Sequence, residues 1–353
     1  WQTAYSKNEI QLNTLKDLVA SIDPQDNAWI SIATVEQIEQ QIQVLNELSK
    51  EAESLEKQFP LYGVPFAVKD NIDVAGFVTS AACKALTTVA VQDAETVRLL
   101  KQAGAIVIGK TNLDQFATGL VGTRSPYGAV ANTFNSEYIS GGSSSGSANV
   151  VARGFVPFAL GTDTAGSGRV PAAFNNIVGL KPTKGRFSNR GLLPACKSLD
   201  CISIFALTVA DADLVANILE AYDPLDSYSR KHPKNVPAHF SSKLKFAIPE
   251  KLNFFGDEQS EKAFQQTIQL LESLNAEITR IDFSDFEQLA AQLYQGSWVA
   301  ERTAAVENLL NSNTEDFDPT VLEIIKNGEK YSAVDAYNAE YLKQDLTRKI
   351  QQR

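Results

Sequence analysis

The chain has 353 residues, 44% hydrophobic and 21% charged, a composition that can bury a substantial core. Thirty-two basic against 42 acidic residues leave a net charge of −10, with no basic run and no aromatic-basic stripe, so it offers nucleic acid no obvious surface. No apolar stretch reaches the roughly 20 residues of a membrane span and no signal pattern opens the chain, while three sparse cysteines, Cys83, Cys196 and Cys201, argue against a disulfide framework and for reduced thiols in the cytoplasm.

Residues 1–59 are polar and helix-prone, and the apolar spacing around Val44, Leu45 and Leu48 predicts amphipathic helices on the outside of the molecule. The lack of Met and an opening at Trp1 lead to the expectation of a trimmed segment. Residues 62–68 (YGVPFAV), ending at Lys69-Asp70-Asn71, predict a strand. Residues 94–103 (AETVRLLKQA) have helical spacing and stop at Gly104, and residues 105–108 (AIVI) predict a buried strand. This alternation implies a sheet covered by helices. Residues 155–160 (FVPFAL) and 243–248 (KLKFAI) predict further buried strands, with a sharp turn over residues 175–184 (NNIVGLKPTK) between them. Residues 261–274 predict a helix, residues 278–281 a strand, and residues 286–353 a mostly helical segment. There is no internal repeat. The only histidines, His232 and His239, sit in RKHPKNVPAHF, a charged, proline-containing stretch that reads as an exposed loop.

Two Gly/Ser runs remain, SGGSSSGSA at residues 140–148 and GTDTAGSG at residues 161–168. A flexible linker would separate domains, yet the first run lies between core elements. A phosphate cradle would need G-x-x-x-x-G-K-[ST] or G-x-G-x-x-G, and neither run has that spacing. Small residues directly after a strand let the backbone turn tightly and point several N–H groups into one space, with a serine hydroxyl beside them. That arrangement suits acyl transfer, with a nucleophile next to an oxyanion hole. A glycine turn with a capping serine is the plainer reading of the same residues. With neither histidine placed to serve, a lysine whose pKa is lowered by burial is the available base, and Lys69 at the end of an apolar strand is the candidate. A solvated lysine is the commoner outcome at such a position.

VKDN (68–71), GGSSSGS (141–147) and GTDTAGS (161–167) together resemble the amidase signature family over roughly residues 60–205. The resemblance implies an α/β fold with a mixed central β-sheet flanked by helices, residues 1–59 forming a helical part of the domain and residues 60–353 its truncated main body. It implies that Ser167 is the nucleophile, Ser143 a bridging serine joined to Gly142 by a cis peptide, and Lys69 the general base. It also implies an oxyanion hole of the amides of Thr164, Ala165, Gly166 and Ser167, with no metal and no organic cofactor.

Within that family, residues 110–128 (KTNLDQFATGLVGTRSPYG), 166–183 and 195–206 are most similar to the allophanate hydrolase branch. This implies allophanate, a small carboxylate-bearing amide, as substrate, with Gly119, Tyr294 and Arg302 in its recognition. It implies no nucleic acid or membrane partner, is compatible with a homodimer, and suggests fusion to or work beside a urea carboxylase. The amidase component of a glutamyl-tRNA amidotransferase and an inactive binding module on the same fold are the alternatives. Read without the resemblance, Tyr294, Trp298 and Arg302 form an i, i+4, i+8 packing stripe on one helix.

Overall fold

The computed structural model describes residues 1–7, 9–231 and 244–353, so His232, His239 and the first residue of the predicted strand at 243 lie outside the described residues. The chain divides into two compact units, Trp1–His232 with Ala300–Gly328, and Pro233–Val299 with Glu329–Arg353. In chain order the first unit contains α1 (Gln2–Ser6), α2 (Thr14–Ser21), β1 (Trp29–Ile32), α3 (Val35–Ser49), α4 (Leu55–Gln58), β2 (Pro65–Lys69), α5 (Glu95–Gln102), β3 (Ile106–Thr111), α6 (Ser145–Ala152), β4 (Phe158–Thr162), α7 (Arg169–Phe174), β5 (Val178–Leu180), β6 (Ile202–Ala206) and α8 (Val209–Leu219). The second holds β7 (Lys245–Pro249), α9 (Glu258–Ser273), β8 (Glu277–Ile281) and α10 (Ser284–Gln295). The chain then returns to the first unit through α11 (Val299–Ser312) and α12 (Pro319–Lys326), and ends in the second with α13 (Ala333–Gln351).

The first unit is built on a six-stranded mixed sheet in the order β1-β3-β2-β4-β6-β5. The adjacent strands β3, β2 and β4 run parallel, while β1, β6 and β5 pair antiparallel to their neighbours. Every residue of β2, β4 and β6 is buried, which is why PFAVK, FALGT and ISIFA read as apolar runs without alternation. Phe66 and Phe158 pair directly across β2 and β4, and their rings stack at 5.2 Å. Among the described residues no helix is long and apolar enough to cross a membrane.

Several elements depart from the sequence expectation. The N-terminal segment is not purely helical, because Trp29–Ile32 forms an edge strand on β3. Four residues are too few for periodicity to separate a strand from a loop. Helix α3 opens with a capping box between Thr34 and Gln37, but it buries Ile38, Ile42 and Leu45, whereas Val44 and Leu48 are exposed. Residues 175–184 are not only a turn, since they contain β5. The ISIFA run becomes β6, an unanticipated strand between β4 and β5. β7 lies outside the central sheet and is largely exposed; it pairs in parallel with β8 through the crossover helix α9.

A separate apolar cluster anchors the returning helices to the first unit. Phe116 and Phe317 pack at 5.0 Å, with Cys83, Val306, Leu310, Val321 and Ile325 around them. This packing brings the start of α11, with Arg302, into the unit that carries the Gly/Ser runs.

Candidate active site

Strand β2 delivers Lys69, which is fully buried. Its Nζ lies 2.7 Å from Ser143 Oγ and 2.6 Å from Thr162 Oγ1. Burial lowers its pKa from 10.5 to about 7, the Arg302 guanidinium pushing the same way and the carboxylates of Asp114, Asp200 and Asp163 opposing. Thr162, the last residue of β4 and part of the GTDTAGS run, is a second lysine partner that carries no separate signal in the sequence.

The Gly142–Ser143 peptide is cis. Two other serines of the run, Ser144 and Ser147, stitch α6 onto the sheet. Ser144 Oγ donates to the Thr162 carbonyl and accepts from the Thr162 amide, at 3.0 and 3.2 Å, and Ser147 Oγ donates to the Leu160 carbonyl at 2.9 Å. A serine-rich run is thus needed twice, once near the lysine and once to satisfy buried backbone groups where a helix start meets strands.

Asp114 underlies this loop and carries no expectation from the sequence. Its carboxylate accepts from the amides of Val121, Gly122, Thr123 and Arg124 at 2.9–3.1 Å, and its own amide donates to the Ser143 carbonyl at 3.0 Å. A Cβ at Gly142 would overlap Asp114 Oδ2, and one at Gly119 would lie 2.7 Å from it. Both glycines are demanded by close approach to this carboxylate.

Beyond β4 the chain turns through residues 163–168. Asp163 takes the Arg169 guanidinium at 2.8 and 2.9 Å, the Arg169 amide at 3.1 Å and the Gly166 amide at 2.7 Å. Burial pushes the Asp163 carboxyl up, but these bonds outweigh it and hold the group below its usual range. The Gly166 N–H is therefore committed to Asp163, which departs from the expected set of four oxyanion amides. Among the described residues, the amides of Thr164, Ala165 and Ser167 have no hydrogen-bond partner. The Thr164 hydroxyl donates to Asp200, whose carboxyl burial raises.

Ser167 is buried, with Oγ 3.5 Å from the Gly119 carbonyl, and its own carbonyl accepts from the Ser144 amide at 3.2 Å. Arg302 is also buried, and its Nη1 donates to Thr118 Oγ1 at 2.8 Å. Consecutive residues, Thr118 and Gly119, therefore contact the arginine and Ser167. Tyr294 lies in α10 of the second unit and is half-exposed. That helix ends at Gly296, which is extended, so Tyr294, Trp298 and Arg302 do not form a stripe on one helix.

The arrangement can relay a proton from a hydroxyl to a neutral amine beside unpaired amides. A family described as Amidase matches residues 12–353. The chain is 50% identical over 350 residues to urea amidolyase of Saccharomyces cerevisiae, covering 98% of this chain and 19% of that protein. It is 48% identical over 352 residues to urea amidolyase of Lachancea kluyveri, again 98% of this chain and 19% of that one. It superposes on a solved structure of Kluyveromyces lactis allophanate hydrolase with a TM-score of 0.94 at 47% identity, over 99% of this chain and 58% of that one. The chain thus spans about a fifth to three fifths of the length of these relatives. With the family match running from residue 12 to residue 353, the chain belongs to the amidase family.

Proposed function

We propose that this chain hydrolyses the terminal amide of allophanate through an acyl-enzyme on Ser167. The observation that carries the reading is the buried Arg302, seated on Thr118, the residue before the Gly119 carbonyl that faces Ser167 Oγ. Allophanate is a short planar anion with a carboxylate at one end and an amide at the other. A guanidinium can grip the carboxylate bidentately while the hydroxyl faces the amide carbon.

In this reading neutral Lys69 takes the Ser143 proton, and Ser143 takes the Ser167 proton as Ser167 Oγ attacks the carbonyl carbon. The amides of Thr164, Ala165 and Ser167 take the charge that develops on the oxygen. The proton returns through Ser143 to the leaving nitrogen, which departs as ammonia. Water then repeats the attack on the acyl-enzyme, freeing Ser167 and releasing N-carboxycarbamate. Allophanate is urea bearing one added carboxylate, so a urea-carboxylating activity, fused or separate, is the partner this reading requires. The 50% identity to a urea amidolyase supports it.

Ammonia release from allophanate, biuret, malonamate and glutamine tests the reading. Allophanate should be turned over fastest, and a preference for glutamine would favour an amidotransferase instead. Arg302→Ala should lower kcat/KM for allophanate at least tenfold, since a charged hydrogen bond contributes about 1.5–3 kcal/mol. The same variant should leave any biuret hydrolysis nearly unchanged. Equal loss on both substrates would mean that Arg302 only holds the fold.

A further inference from the structure

The turn of residues 195–200 contacts both ends of the proposed site. From inside, the Asp200 carboxylate accepts from the amides of Ala195 at 2.9 Å and Cys196 at 3.1 Å, and from the Thr164 hydroxyl on the oxyanion turn. The amides of Leu199 and Asp200 both donate to the Cys196 carbonyl, at 2.8 and 2.9 Å, which closes the turn on itself. From outside, the Glu301 carboxylate accepts from the Ser198 amide at 2.9 Å and from the Ser198 hydroxyl. Glu301 immediately precedes Arg302 in the first turn of α11. Neighbouring positions on one helix thus reach two different walls of the site, Arg302 to Thr118 and Glu301 to Ser198.

We propose that Glu301 is a positioning residue: by gripping Ser198 it locks the 195–200 turn to the helix that bears Arg302, so that the guanidinium and Thr164 keep one spacing. The proposal rests on the reading of Arg302 and the oxyanion turn given above. A carboxylate that takes two bonds from one residue fixes direction as well as distance. In allophanate a single nitrogen separates the carboxylate carbon from the reacting carbonyl carbon. The two anchor points therefore need a spacing held to about 0.5 Å, and nothing in the substrate can stretch to absorb an error. Thr164 bonds Asp200 at one end of the closed 195–200 turn and Glu301 bonds Ser198 at the other, so the turn's own backbone links the two contacts.

A double-mutant cycle on allophanate turnover tests it. Glu301→Ala and Thr164→Val should each lower kcat about tenfold with little change in KM. The double variant should be no worse than the poorer single one, because both cut the same linkage. Glu301→Gln, which keeps an oxygen at the same reach, should recover to within about threefold of the parent. Losses that multiply towards a hundredfold in the double variant overturn the proposal, as does a Glu301→Ala enzyme within twofold of the parent. If Glu301→Ala fails to fold by circular dichroism, Glu301→Leu, which also removes both bonds to Ser198 but keeps most of the side-chain volume, replaces it in the cycle under the same criteria. Arg302→Ala, assayed alongside on allophanate and biuret, separates the two ideas. Equal loss on both substrates overturns the functional reading and this role with it. A selective loss on allophanate with a multiplicative cycle leaves the reading standing and overturns the role of Glu301 alone.

Discussion

Lys69 is fit to take up a proton near neutral pH because its ammonium is buried, and among the described residues its close partners are two neutral hydroxyls. An amine titrating near 7 is half neutral there, whereas a solvated lysine would be about one part in three thousand neutral. Turnover should accordingly rise as pH climbs through about 7 and level off above it, a limb measurable in the pH profile of kcat/KM. Thr162→Val should move that limb to lower pH, since an oxygen accepting an N–H bond favours the ammonium over the neutral amine. A limb moved upward would mean that Thr162 acts otherwise. Ser167→Ala should abolish turnover while leaving the thermal midpoint nearly unchanged, because one small turn residue replaces another.

At the scale of elements, the end of β2 is held by an ion pair directly behind the lysine. Asp70 follows Lys69, and its carboxylate lies 3.1 Å from Lys110 Nζ on β3, both side chains being buried. Ser80 donates to Asp70 through its amide at 3.0 Å, and Lys110 reaches the Val78 carbonyl at 3.1 Å. The pair therefore joins two strands and the 78–80 loop. Lys110→Met should lower unfolding stability by about 3–5 kcal/mol in urea titrations, because it strands a buried carboxylate. Asp70→Asn combined with Lys110→Met should recover part of that loss. A single variant as stable as the parent would show that the pair is dispensable.

At the scale of the whole molecule, the first unit is discontinuous in sequence, and α11, α12 and the loop between them pack on Phe116 through Val306, Phe317 and Val321, which helps hold Arg302 in it. Phe317→Ala should cost about 3–5 kcal/mol of stability through the cavity it leaves. It should also reduce the preference for allophanate over biuret, with Arg302 itself intact. Differential scanning calorimetry and the two-substrate assay measure the two effects. An unchanged preference would detach the cluster from the site.

What can be read along the chain is what local chemistry dictates. The runs VKDN, GGSSSGS and GTDTAGS carry the resemblance to the family because tight turns and buried strand ends need particular residue types at fixed short spacing. The parallel strands and α5 were legible for the same reason, since a continuous apolar run or a 3.6-residue period is a property of a few neighbours. β1, β6 and the buried face of α3 were not, because four or five residues do not settle which side meets the sheet. Only tertiary structure commits the Gly166 amide to Asp163, lowers the lysine pKa by burial, and sets Asp114 under the Gly119 loop. It alone brings Glu301 to Ser198 across 103 residues of chain. Those outcomes depend on which charges share a dehydrated interior, and desolvation is decided by packing between segments that carry no periodic signal of one another.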